Sequence, residues 1–156
     1  METMRPEFAN SGDLWIDDGT FRDIYLQNMT PRHWQLFDEF VRQYQSEYSV
    51  DGGPAPFPGS AAIFANRRIT PLLAVGAGQT TINCHFFSAR QLELDVWPRE
   101  IIGVVEHNAI LSFVEQLSLA LSLAAEITWE NSATEPLITF SPGLGTWKVI
   151  ALRQLP

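Results

Sequence analysis

The sequence has a single cysteine, Cys84, which excludes a disulfide framework within the chain and a zinc site built from several cysteines. Lysine is equally scarce: nine arginines and Lys148 stand against 18 aspartates and glutamates, and the formal net charge is −8 at pH 7. Proteins that bind nucleic acid need clustered positive charge. Nucleic acid is therefore not expected as a partner.

Long apolar runs are also missing. The most apolar stretch, residues 110–125, is interrupted by serines, Glu115 and Gln116, and it is too short and too polar to cross a bilayer. The N-terminus carries acidic residues and no apolar core, unlike a secretory signal. These features predict a cytoplasmic protein without a membrane partner, and the preference for arginine over lysine suggests a bacterial origin.

The sequence contains no Gly-x-Ser-x-Gly elbow, no Walker loop and no His-Glu-x-x-His motif, so it predicts no cofactor and no resident metal. What is present is a chain of 156 residues, 46% of them hydrophobic. That length and composition fit one compact domain. We expect residues 1–12 to form a flexible N-terminus and residues 13–156 a single α+β domain.

Two stretches have helical periodicity. Thr30 and Pro31 suit the cap and first turn of a helix over residues 31–45, and a second helix is expected over residues 108–124. The other apolar stretches are short and strand-like, including residues 61–64 and 69–75, while residues 51–59 resemble a stiff proline-rich loop. The predicted fold is α+β, a mainly antiparallel sheet with two principal helices in the order ββαββββαβββ.

Asp18-Gly19 lies between two strand-like runs and predicts a hairpin over residues 14–26. In that hairpin Trp15 would lie opposite Arg22, within reach of a cation–π contact.

The clearest strand pair is residues 80–87 with residues 92–97. Both strands alternate apolar and polar residues, and the apolar faces reach the core together in only one register. That register pairs Phe86 with Leu92, Cys84 with Leu94, and Ile82 with Val96.

The polar faces of these strands follow from the same register. His85 is expected opposite Glu93, and Asn83 opposite Asp95, at the short spacing of cross-strand pairs. A histidine beside carboxylates can support general acid–base chemistry or a weak divalent-metal site, and it can equally form an ordinary surface ion pair. A neighbouring carboxylate favours the imidazolium, so we expect the pKa of His85 to lie above its ordinary value.

Three other residues or pairs are weaker candidates. Cys84 faces the predicted core, where it would be a small buried side chain and not a nucleophile. Arg67 and Arg68 are an adjacent basic pair that could bind an anion, although a solvated turn is the simpler interpretation. His107 is expected to be solvated or to cap the second helix.

Two functions follow as hypotheses. The first is a non-enzymatic binding protein whose acidic surface neutralises a basic protein partner. The alternative is a small hydrolase or lyase with His85, Glu93 and Asp95 as catalytic residues. Candidate ligand-binding residues are Asn83, Arg67 and Arg68. A homodimer is also expected, because the second helix has leucines outside its main apolar face: Leu111, Leu119 and Leu123.

Overall fold

One antiparallel sheet of ten strands organises the chain, and three helices cover one of its faces. The computed structural model describes residues 2–155; Met1 and Pro156, the ends of the two predicted ranges, lie outside it. The helices are α1 (Pro31–Val41), α2 (Ser60–Ala65) and α3 (Val104–Leu121). The strands are β1 (Glu2–Thr3), β2 (Arg22–Gln27), β3 (Ser46–Val50), β4 (Gly53–Pro54), β5 (Pro71–Ala77), β6 (Thr80–Ser88), β7 (Gln91–Val96), β8 (Ala125–Trp129), β9 (Pro136–Ser141) and β10 (Thr146–Val149).

The predicted α+β class with a mainly antiparallel sheet is confirmed. Across the sheet the strands run β1-β10-β9-β8-β2-β7-β6-β5-β3-β4, and the neighbouring strands are antiparallel. The short strands β1 and β4 form the two edges. The centre of the sheet is therefore built from β8, β2, β7 and β6, which carry the polar residues described below.

The helix-covered face of the sheet forms the core. Alternate residues of β6 and β7 are fully or almost fully buried there, as expected for strands with one face against helices. Phe86 lies within ring contact of Trp34 and Phe37 on α1, and of Phe57 and Phe64 beside it. Aromatic packing thus fastens α1 and the proline-rich loop to the sheet.

Helix α1 begins where the sequence predicts. The Thr30 hydroxyl accepts a hydrogen bond from the His33 backbone N–H, and His33 Nδ1 accepts one from the Thr30 backbone N–H. This reciprocal pair satisfies two backbone N–H groups at the helix start, those of Thr30 and His33. The helix ends at Val41, four residues earlier than predicted, and the chain then turns into β3.

The predicted hairpin over residues 14–26 is wrong. β2 is a central strand that pairs with β7 on one side and β8 on the other. The chain before β2 turns instead of extending, because the buried Arg22 guanidinium binds backbone oxygens of this loop, including that of Leu14 at 2.6 Å. The cation–π partner of Arg22 is accordingly Trp129, its cross-strand neighbour at 4.2 Å, and not Trp15.

Two local assignments are also corrected. Residues 61–64 lie in helix α2 and not in a strand, because the Asp38 carboxylate of α1 accepts hydrogen bonds from the backbone N–H and hydroxyl of Ser60 and so fixes the start of the helix. The loop over residues 51–59 contains β4, a two-residue edge strand whose proline is tolerated there.

Helix α3 begins at Val104 and ends at Leu121, so it starts four residues before the prediction. This shift changes the place of His107, which is neither solvated nor capping. It lies within the first turns of α3 and is fully buried, with hydrogen bonds to Trp15 and Pro6. Apolar side chains of the N-terminal segment cover His107. Helical periodicity alone does not predict this burial, because the covering residues are distant in the sequence.

Candidate functional site

The uncovered face of the sheet carries the predicted polar cluster. His85 lies opposite Glu93 and Asn83 lies opposite Asp95, as the sequence predicts. One predicted apolar pairing is wrong. β6 has a bulge between His85 and Ser88, and because of this bulge Phe86 does not pair with Leu92. The bulge adds a residue near the turn and leaves the register of the four polar residues intact.

Asp95 holds the cluster together. Its Oδ1 accepts a hydrogen bond from Asn83 Nδ2 at 2.8 Å, and its Oδ2 lies 2.6 Å from His85 Nε2. The partner of His85 is therefore the diagonal carboxylate and not the directly opposite Glu93, a reach that long side chains allow across a sheet. The exposed ring of Phe87 stacks on the His85 imidazole, with centroids 4.8 Å apart.

Two opposing influences act on the His85 imidazole. Burial lowers its pKa, whereas the hydrogen bond and the charge of Asp95 raise it. Burial is the largest single influence, but Asp95 together with the charges of Glu93 and Asp23 outweighs it, and the pKa of His85 lies above its ordinary value, as predicted. The imidazolium is thus favoured beside Asp95, and the pair can hold a proton.

The neighbouring strands contribute four further polar residues that the sequence analysis missed. Each pairs in register with the cluster, so that two parallel rows cross the sheet. The first row is Asn83, Asp95, Asp23 and Thr128, and the second is His85, Glu93, Tyr25 and Glu126. We call these eight residues the polar rows. The alternation of Arg22–Gln27 gives the shared face of Asp23 and Tyr25, but it does not show which strands lie beside them.

The polar rows concentrate negative charge. Burial raises the pKa of Asp23, Glu93 and Glu126. The charge of Asp95 further raises the pKa of Asp23 and of Glu93, and the charge of Asp23 also raises the pKa of Glu93. Asp23 is nevertheless held by hydrogen bonds from the Tyr25 hydroxyl at 3.0 Å and the backbone N–H of Asn131 at 2.8 Å. The rows are ordered, but their negative charge is only partly compensated.

A hollow of about 540 Å³ lies on the same face of the sheet, between β3, β5 and β6. It forms because Ala74 and Gly76 have little or no side chain there. Glu47 lines one side, and Asn83 of the polar rows is the cross-strand partner of Ala74. Small residues in β5 thus leave an open space beside the rows.

The other candidates do not join this cluster. Cys84 is fully buried on the opposite face of β6, where burial raises the pKa of its thiol. Arg67 and Arg68 are exposed in the loop between α2 and β5, and between residues 2 and 155 no ion pair reaches either guanidinium. Within those same residues, no three His, Cys, Asp or Glu side chains are arranged to hold a metal ion.

Comparison of the chain with protein-family models, curated protein sequences and solved structures finds no match. Within residues 2–155, no helix combines the length and apolar character needed to cross a membrane.

Proposed function

We propose that this protein is a non-enzymatic binding protein that uses the polar rows to hold and neutralise a basic protein partner. The observation that carries the proposal is the arrangement of three partly exposed carboxylates, Glu93, Asp95 and Glu126, beside the buried Asp23 on a face that no helix covers. Within the polar rows, His85 is the one side chain that can become positively charged. The net charge of −8 adds long-range attraction for a basic partner.

The electrostatics of the rows favour a cationic ligand. Burial and like charge raise the pKa of Asp23 and Glu93. An approaching cation lowers the pKa of such a carboxylate, because the cation favours the ionised form. Binding of a basic partner is then expected to release protons in mildly acidic solution. The affinity should rise with pH through this range and fall with added salt.

The hollow between β3, β5 and β6 supports the same proposal. Its open space of about 540 Å³ beside the Glu47 carboxylate can take the side chain of an arginine or lysine from a basic partner. The exposed ring of Phe87 adds a surface on which a guanidinium can stack. Both features are typical of surfaces that recognise basic side chains.

The alternative, a small hydrolase or lyase, is favoured by the short hydrogen bond between His85 and Asp95. Such an enzyme also needs a partly apolar pocket that brings substrate to the histidine. His85, Glu93 and Asp95 line none of five concavities formed by the described residues. This shape favours binding over catalysis.

The test compares two double variants that remove the same charge. Glu93→Gln with Glu126→Gln neutralises the polar rows, whereas Glu7→Gln with Glu39→Gln neutralises exposed carboxylates elsewhere. Each tagged protein is used to capture partners from native lysate, and bound proteins are quantified by mass spectrometry. We expect basic proteins that bind the wild type to be retained by the second variant and lost by the first.

Equal retention by both double variants would contradict the proposal, because binding would then not depend on the carboxylates of the polar rows. Loss by both would also contradict it, because binding would then depend on net charge alone. The enzymatic alternative would instead be supported if small molecules from the lysate were consumed by the wild type and spared by His85→Gln.

A homodimer through α3 remains part of the proposal. Leu111 is fully buried within the chain, so the apolar surface left for a second copy is smaller than the sequence suggests. Leu119 is 46% exposed and lines a shallow hollow together with Met4, which is 75% exposed. Light scattering after size exclusion should give twice the monomer mass at tens of micromolar protein, and Leu119→Arg should return it to the monomer mass.

A further inference from the structure

The N-terminal residues 4–10, which we call the strap, lie along helix α3 on the side of the molecule away from the polar rows. Arg5 of the strap forms a two-pronged ion pair with Glu115 of α3, with distances of 2.7 and 3.0 Å. Phe8 packs edge-on against His107, and the strap contains a short turn of 3-10 helix at Phe8–Asn10. His107 is thus covered by the strap.

Both ring nitrogens of His107 are used in ways that fix its protonation state. Nδ1 accepts a hydrogen bond from the Trp15 indole N–H at 2.8 Å. Nε2 lies 2.6 Å from the backbone oxygen of Pro6, which can only accept, so Nε2 carries the single proton. A second proton on Nδ1 would point at the indole N–H, and the imidazolium cannot form without breaking that contact.

We propose that His107 is a pH-sensitive latch that holds the strap closed when the imidazole is neutral and releases it when the imidazole is protonated. The side chain is fully buried, so a charge on it requires water, and water reaches it only if the strap moves. Opening frees Phe8 and the neighbouring surface of α3. The latch thus couples acidification to exposure of an apolar helix surface.

The surroundings of His107 offer the imidazolium no compensating charge. Burial is the main influence and lowers its pKa; the Pro6 oxygen partly opposes this, and the positive charge of Arg5 lowers the pKa further. Arg5 is itself bound to Glu115, while the acidic groups of the adjoining loops are engaged elsewhere: Asp13 with the Arg153 backbone and Asp17 with Arg99. Phe8 and Trp15 are uncharged.

Because the closed state has the lower pKa, the open state binds more protons between that pKa and the ordinary value of about 6.5. The closed strap is therefore fully stable above pH 6.5 and loses stability as the pH falls below it. With an open-state pKa of about 6.5, opening can increase by up to about 25-fold between pH 7 and pH 5. Glu115, whose pKa is lowered from its ordinary value by Arg5, stays ionised in this range.

Amide hydrogen exchange of the full chain measures the opening. The backbone N–H groups of Asn10 and Ser11 are protected by hydrogen bonds within the strap turn. After correction for intrinsic rates, we expect their exchange in the wild type to rise several-fold to about 25-fold at pH 5. In His107→Gln the rise should vanish, because glutamine can form similar hydrogen bonds and does not titrate; in the control His85→Gln it should remain.

Equal protection at pH 7 and pH 5 in the wild type, or an undiminished rise in His107→Gln, would overturn the latch. A second measurement keeps the test valid if His107→Gln does not fold. Trp15→Phe removes the indole donor, so NMR titration should show the pKa of His107 moving upward and the strap opening at higher pH. An unchanged pKa of His107 in this variant would equally reject the proposal.

Discussion

The two faces of the β6–β7 hairpin share one backbone but contribute differently to the stability of the fold. On the covered face, Cys84 and Leu94 are fully buried against the helices, and removal of apolar surface from water stabilises the fold. On the uncovered face, neighbouring carboxylates repel one another and are partly desolvated. The comparison indicates that the covered face stabilises the sheet, whereas the uncovered face carries residues that stability alone would not select.

The half-buried His85 and the fully buried His107 extend this comparison. Burial lowers the pKa of both, yet the final directions are opposite: the pKa of His85 is raised and that of His107 is lowered. The difference comes from the hydrogen-bond partner. The Asp95 carboxylate can accept a hydrogen bond from the protonated His85 Nε2 and compensate the charge of the imidazolium. The Trp15 indole N–H donates to His107 Nδ1, which must therefore be unprotonated. The environment around each ring therefore decides the sign of its pH response.

The largest expected effect comes from two adjacent phenylalanines on opposite faces of β6. Phe86 is 7% exposed and lies in the aromatic cluster, whereas Phe87 is 64% exposed. Phe86→Ala should lower the free energy of unfolding by about 3–5 kcal/mol, since it removes a buried ring and leaves a cavity. Phe87→Ala should change it by less than about 0.5 kcal/mol.

Denaturant unfolding measures both variants. Similar losses for Phe86→Ala and Phe87→Ala would mean that the two faces do not differ as described. A loss below about 1 kcal/mol for Phe86→Ala would place that ring outside the core.

The register of this hairpin could be predicted because it depends on local alternation. Every second residue of the two strands is apolar, and a shift by one residue would expose half of them. The same reasoning gives the faces of His85, Asn83, Glu93 and Asp95. The bulge next to Phe86 was missed, because a bulge near the turn leaves this alternation unchanged elsewhere.

The remaining part of the site depends on contacts between distant segments. Asp23 lies 72 positions before Asp95 in the chain, and nothing in the local pattern places them side by side. The hairpin prediction before β2 failed for a related reason. The chain bends at Asp18-Gly19, where Gly19 has a positive φ, but the buried guanidinium of Arg22 draws the preceding loop inward. Burial of His107 likewise depends on the strap.

The next effect in size concerns the pairing of His85 with Asp95. Asp95→Asn removes the charge that opposes burial, so the pKa of His85 should fall, and loss of a charge-assisted hydrogen bond should cost about 1–2 kcal/mol near pH 6. NMR titration of the His85 ring measures the first change. A pKa of His85 that does not move would show that Asp95 is not the group that raises it.

The pH dependence of this pairing follows from the raised pKa. The folded state binds the proton more tightly than the unfolded state, so the stabilisation is fully present below the ordinary value of about 6.5. It is lost as the pH rises through the pKa of the folded protein. Unfolding measured from pH 5 to pH 8 should therefore show a contribution in the wild type that Asp95→Asn reduces, opposite in sign to the contribution of His107.

The smallest expected effect is also the one that best separates the two faces. Glu93 and Glu126 are half-buried carboxylates whose pKa values are raised chiefly by burial, so the ionised forms are held in the fold at some cost. Glu93→Gln with Glu126→Gln keeps the size of both side chains and removes this cost. Because both groups are still partly solvated, we expect the free energy of unfolding at pH 7 to stay within about 0.5 kcal/mol of the wild type or to rise. The gain should disappear as the pH is lowered and the wild-type carboxylates become protonated.

Unfolding in urea at pH 7 and pH 4 measures both parts, and Glu7→Gln with Glu39→Gln provides the control for net charge. A clear loss of stability in the first double variant would assign these carboxylates to the fold itself. An unchanged or more stable protein that has lost its basic partner would instead show that the uncovered face is maintained for binding.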